Sequence, residues 1–111
     1  MSKIAQDHFV GRADYAVSKL VDGEVVLLNL NNGAYFSLNV AGATVWKLCS
    51  GKKKIRDIVL AVSRKFPRNK NRINKDVLEF LGELKRQRLV KMTPAPISTA
   101  KRGLGQKRNF A

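Results

Sequence analysis

Cysteine, histidine and proline are scarce in this chain, with one, one and three in 111 residues. A lone Cys49 excludes an intramolecular disulfide and any cysteine-based metal cluster. His8, equally alone, stands in a segment without partners and is not read as catalytic. No apolar run approaches the roughly 20 residues that a membrane-spanning helix needs. The opening MSKIAQDHFVGRAD lacks the apolar stretch of a secretory signal. A reducing, cytoplasmic setting is therefore the default expectation, with no membrane partner. Neither a nucleophile–base set nor a Gly-rich phosphate loop nor a metal-ligand spacing is found. The expectation is a protein that is not an enzyme and has no catalytic residue, cofactor or metal.

Acids are scarce too. Eight Asp and Glu face 22 Lys and Arg, a net charge of +14, which points to an acidic partner. The excess is local. Residues 1–46 hold three bases and four acids, whereas residues 47–75 hold eleven bases and only Asp57, a net of +10. Residues 76–90 balance at three against three, and residues 91–111 add five bases and no acid. With 44% hydrophobic and 27% charged residues, the composition is that of one small folded domain.

Residues 1–14 show no clean period and read as a flexible N-terminal extension. Residues 15–21 form a first expected strand, and Asp22-Gly23 is a hairpin dipeptide. Residues 24–30 form a second strand, Asn31-Asn32-Gly33 a turn, and Ala34-Tyr35-Phe36-Ser37-Leu38 a third strand. The period then changes. Asn39 suits a helix N-cap, with Ala41, Val45 and Leu48 spaced i, i+4, i+7 and Gly51 as C-terminal cap. Trp46 is expected to anchor this helix in the core, and Cys49 to be a small buried hydrophobe. Ile55, Ile58, Val59, Val62 and Phe66 line one face of a second helix that ends at Pro67. Residues 68–72 read as a polar loop. A third helix carries Ile73, Val77, Phe80, Leu81 and Leu84 on one face, and Leu89-Val90 leaves it extended.

The sequence thus predicts an α+β domain over residues 15–92, a three-stranded antiparallel meander followed by three helices, winged-helix-turn-helix-like. Residues 93–111, rich in Pro, Gly, Ser and bases, read as a disordered basic tail.

From Asp22 to Val90 the chain resembles the PqqD-like family of RiPP recognition elements. The resemblance is carried by the strand from Gly23 to Leu30, by Asn32-Gly33-Ala34-Tyr35-Phe36-Ser37-Leu38-Asn39 and by Gly42-Ala43-Thr44-Val45-Trp46. Ile55-Arg56-Asp57-Ile58, the run from Asp76 to Leu84 and the closing Leu89-Val90 complete it. It implies a non-catalytic chaperone that binds the leader segment of a ribosomally made precursor as an added strand, in a groove against the third helix. It also implies presentation to a separate maturase, such as a radical-SAM enzyme or a lasso-type protease and cyclase. Carried over to this chain, the expected peptide-binding residues are Ala34, Tyr35, Phe36, Ser37 and Leu38 on the strand. On the helix side they are Lys75, Val77, Phe80, Leu81, Leu84, Lys85 and Arg88. Two departures stand out: Lys52-Lys53-Lys54 where the family commonly caps the second helix with Thr or Ser, and Arg88 where it favours Gly.

Physical chemistry supports that site independently. The last strand of a meander exposes unpaired N–H and C=O groups to any extended segment. Phe36 and Leu38 share one strand face and are expected in the core, while Tyr35 and Ser37 share the other. Lys75, Lys85, Arg86 and Arg88 are expected to meet an acidic leader at the rim. The alternative is a winged-helix nucleic-acid binder using the basic block 47–75, with Lys52, Lys53 and Lys54 and the bases of residues 64–72 on phosphates and the third helix in the major groove.

Overall fold

A computed structural model describes residues 4–97, and the turn at Asp22-Gly23 sets its first sheet. Both residues take positive φ, 49° and 82°, as a tight two-residue hairpin turn requires. The flanking strands β2 (Ala16–Val21) and β3 (Glu24–Asn29) pair antiparallel from Val21 opposite Glu24 to Ala16 opposite Asn29. At the other end of β3 the chain turns through Gly33, whose N–H donates to Asn29 O at 2.8 Å. Strand β4 (Tyr35–Leu38) then returns along β3 as the last strand of the order β2-β3-β4.

Helix α1 (Val40–Leu48) starts where Asn39 predicts, its Oδ1 accepting from Gly42 N–H at 2.7 Å. It ends before Gly51. That residue has φ 88° and lies in strand β5 (Ser50–Lys54) rather than capping a helix. Helix α2 (Ile55–Lys65) follows, then a 3-10 turn (Pro67–Asn69). Helix α3 (Lys70–Arg86) begins within the stretch read as a polar loop. Pro67 stops α2, but nothing in Lys70, Asn71 or Arg72 opposes a new helix, so the solvated first turn has no apolar periodicity to announce it.

The main departure from expectation is a second antiparallel sheet, β5-β1-β6, built from β1 (Phe9–Arg12), β5 and β6 (Val90–Thr93). The fold is mixed α and β as expected, but with two small sheets instead of one meander. β1 falls in the segment read as an extension and is the central strand. Val10 is fully buried. Each strand of this sheet is only four or five residues long, and β5 reads Ser-Gly-Lys-Lys-Lys, so none shows a period-two signal. Thr93, assigned to the tail, closes β6, and Ile97 N–H donates to Gly51 O at 2.8 Å. Residues 1–3 and 98–111, the outer parts of the expected extension and tail, lie outside the described residues.

The same N-terminal segment resolves the missing cap of α2. Lys54 occupies the cap position without a side-chain hydrogen bond. Backbone carbonyls substitute: Ile55 N–H donates to His8 O at 2.9 Å and Arg56 N–H to Gln6 O at 3.0 Å. Two amides orphaned by the helix start are thereby satisfied.

Helix α3 ends in a Schellman motif. Leu89 N–H donates to Leu84 O and Arg88 N–H to Lys85 O, both at 2.9 Å, with Arg88 at φ 62°. A non-glycine residue in this left-handed position costs about 1 kcal/mol relative to Gly. The Tyr15 hydroxyl, which donates to Arg88 O at 2.6 Å, bonds only to backbone. Arg88→Gly is therefore expected to stabilise the domain by about 1 kcal/mol, read as a higher urea midpoint with an unchanged slope.

The core lies where the helices meet the sheets. Ile58 and Val62 of α2, Leu81 of α3, Leu27 of β3 and Val10 of β1 are fully buried, with Trp46 of α1 as the large anchor. The Arg12 guanidinium closes over Trp46, 5.7 Å from the ring centroid, and donates to Trp46 O at 2.9 Å.

Candidate functional site: a groove between a sheet edge and a helix

The register of β4 decides which way its backbone faces. Asn29 N–H donates to Ala34 O at 2.9 Å, so Asn29 and Ala34 form a bonded pair. Bonded and non-bonded pairs alternate along an antiparallel ladder. Leu27–Phe36 and Val25–Leu38 are thus bonded, and Leu28–Tyr35 and Val26–Ser37 are not. Tyr35 and Ser37 consequently aim their N–H and C=O groups away from β3, over the open edge.

Beside that edge runs a groove. A cavity of about 470 Å³ is lined by Ser37, Leu38 and Asn39 of the β4 end, by α1 through Gly42 and Val45, and by α3 through Ile73, Val77 and Phe80. A second cavity, about 170 Å³, continues it between β4 and the last turns of α3, over Phe36, Leu84 and Leu89. Both share Ser37, Leu38 and Phe80, so they form one trough. Gly42 faces this trough: a Cβ there would crowd the capping Asn39 Oδ1 at 3.2 Å and meet Phe80 Cζ in ordinary contact at 3.5 Å.

Of the residues expected to bind peptide, Phe36, Ser37, Leu38, Val77, Phe80 and Leu84 line the trough. Leu38 belongs to the core, as expected, while Phe36 is half-buried against it. Ala34 and Tyr35 lie outside the lining, Ala34 just before β4 and Tyr35, 71% exposed, on the strand. Leu81 is fully buried and belongs to the core. Lys75, Lys85 and Arg88 are exposed and line neither cavity.

The contribution of α1 was missed. Asn39 was read only as a cap, and Gly42, a small residue inside a helix, was the one local signal at this wall. Also missed were Asp76, Glu79 and Glu83, which stand on the trough wall. Their i, i+3, i+7 spacing places them in one row. Asp76 pairs with Arg72 at 3.7 Å, and Glu83 with Arg86. The hydrogen bond from Gln87 Nε2, at 2.9 Å, holds the Glu83 carboxyl below its ordinary range, with Arg86 adding to the effect.

Cys49 lies apart from this site. It is fully buried, and burial pushes its thiol up to about 12 against a partial opposing effect of Arg12. A reactive role is not supported. The unfolded chain loses this proton near the ordinary value of 9.0 while the folded chain keeps it to about 12. Stability is thus expected to fall as pH rises across that window. Alkylation of Cys49 at pH 8 is expected to be at least about 100-fold slower in native than in denatured protein, as mass spectrometry of maleimide-treated samples would show. Among the described residues no group of three or more His, Cys, Asp or Glu could hold a metal ion, and no helix is long and apolar enough to cross a membrane.

A sheet edge with outward-facing backbone beside an apolar trough is a surface suited to an extended peptide. The family model for coenzyme PQQ synthesis protein D (PqqD) matches residues 24–90, and the chain belongs to this family. Among solved structures it is similar to TbiB1 in complex with the TbiA(β) leader peptide. The two share 32% identity and a TM-score of 0.63 over 73% of this chain and 94% of that one. No curated protein matches the chain at a significant level.

Proposed function

We propose that this chain is a non-catalytic recognition element that binds the leader segment of a ribosomally made precursor peptide. The leader adds as a strand to β4, seats alternate side chains in the trough against α3, and is presented to a separate modifying enzyme. The observation that carries this reading is the trough itself, bounded by the outward N–H and C=O groups of Tyr35 and Ser37. The family and the leader-bound structural neighbour support it. Backbone pairing would give affinity, and the pockets around Phe80 and Val77 specificity.

The basic block 47–75 keeps nucleic acid as the competing reading, because two helices set against a hairpin are also the layout of a winged helix. Against it, Asn74, near the start of α3 where a base-reading side chain would stand, has its Oδ1 buried. Fluorescence polarisation separates the two. The full chain is titrated with the labelled leader of the precursor encoded beside its gene and with a random DNA duplex, each at two salt concentrations. Peptide binding that survives higher salt, with DNA binding erased by it, is the expected result. Sequence-dependent DNA binding without peptide binding would overturn the proposal.

A further inference from the structure

The trough has the opposite charge to the protein around it. Among the described residues no Lys or Arg lines either cavity, whereas Asp76, Glu79 and Glu83, three of the eight acids, do. The three stand in a row on α3 with Phe80 among them, above a floor of Leu38, Val45, Ile73 and Val77. Their states differ. Asp76 is engaged by Arg72 in an exposed pair, and Glu83 is held by Gln87 and Arg86. The Glu79 side chain, between them, makes no hydrogen bond or ion pair with any described residue. Its carboxylate therefore remains available at the middle of the wall.

We infer that the segment bound in this trough is apolar and basic, with a Lys or Arg side chain placed against Glu79. The inference rests on the leader-binding reading above and reverses the acidic leader expected from the overall charge. The +14 field falls off over about 8 Å at physiological ionic strength. An arriving basic segment thus feels the bases at a distance only weakly, and the carboxylates on contact. A carboxylate–cation hydrogen bond at the edge of an apolar trough is stronger than one in open solvent. The opposite arrangement, an acidic leader, would place like charges side by side on three of the trough's lining residues.

The test uses the full chain and the labelled leader of the precursor encoded beside its gene. Glu79 is exposed on a helix, so Glu79→Gln and Glu79→Lys are expected to keep the wild-type circular dichroism and melting curve. Glu79→Gln is expected to weaken the leader about 5-fold and Glu79→Lys about 30-fold or more. Replacing the facing leader Lys or Arg by Glu is expected to restore much of the loss in Glu79→Lys while weakening the wild-type protein. A leader that binds equally well to all three proteins, or whose bound segment holds no Lys or Arg, overturns the charge assignment and leaves leader binding standing. A leader that fails to bind the wild-type protein at all overturns both.

Discussion

Ser37→Pro is expected to leave the domain folded and to weaken leader binding at least about tenfold. Ser37 lies on the edge strand, and its N–H points away from β3, so proline removes no bond of the existing ladder. What it removes is a donor to the incoming strand, and its ring occupies the space that strand needs. Phe36→Pro is the contrasting variant, because the Phe36 N–H faces Leu27 in a bonded pair and its loss disrupts β4 itself. Circular dichroism and polarisation on the two variants check this directly. A folded Ser37→Pro protein with wild-type affinity would remove strand addition at β4 from the mechanism.

Deletion of residues 1–12 is expected to cost the domain about 3 kcal/mol or more, a large part of the stability of a chain this size. That corresponds to a fall in Tm of roughly 12 °C or more. The deletion removes the central strand of the β5-β1-β6 sheet, the fully buried Val10, and the carbonyls of Gln6 and His8 that cap α2. The family match begins only at residue 24, so a fragment cut to that boundary omits elements on which the helices rest. A thermal melt unchanged within a few degrees would show that β1 contributes little to folding.

These two regions mark where sequence reasoning succeeded and where it failed. The β2–β3–β4 hairpins were readable because Asp22-Gly23 and Asn32-Gly33 carry their turn chemistry in adjacent residues. The core faces of α2 and α3 were readable from their spacing. β1, β5 and β6 were not, since their pairing joins segments some forty and eighty residues apart, and no local pattern encodes a partner that distant. Of the candidate site, Phe36, Ser37 and Leu38 of β4 and the apolar row Val77, Phe80 and Leu84 do line the trough. Lys75 and Lys85 came with the helix segment that the resemblance implies and were assigned to the rim for their charge, without knowing how the helix was rotated. Burial of Ile73, Val77, Leu81 and Leu84 fixes that rotation and brings the row of carboxylates, not Lys75 or Lys85, to the trough.

The trough is closed on one side by residues 36–38 and on the other by residues 73–87, so neither local segment contains a binding surface alone. A ligand that recognises both walls has affinity for the folded chain and essentially none for the unfolded one. By thermodynamic linkage, leader at 100 times its Kd would add about 2.7 kcal/mol to the stability of the whole domain. The precursor would then act on its own receptor as a pharmacological chaperone does, and cellular abundance of the receptor would follow the supply of precursor.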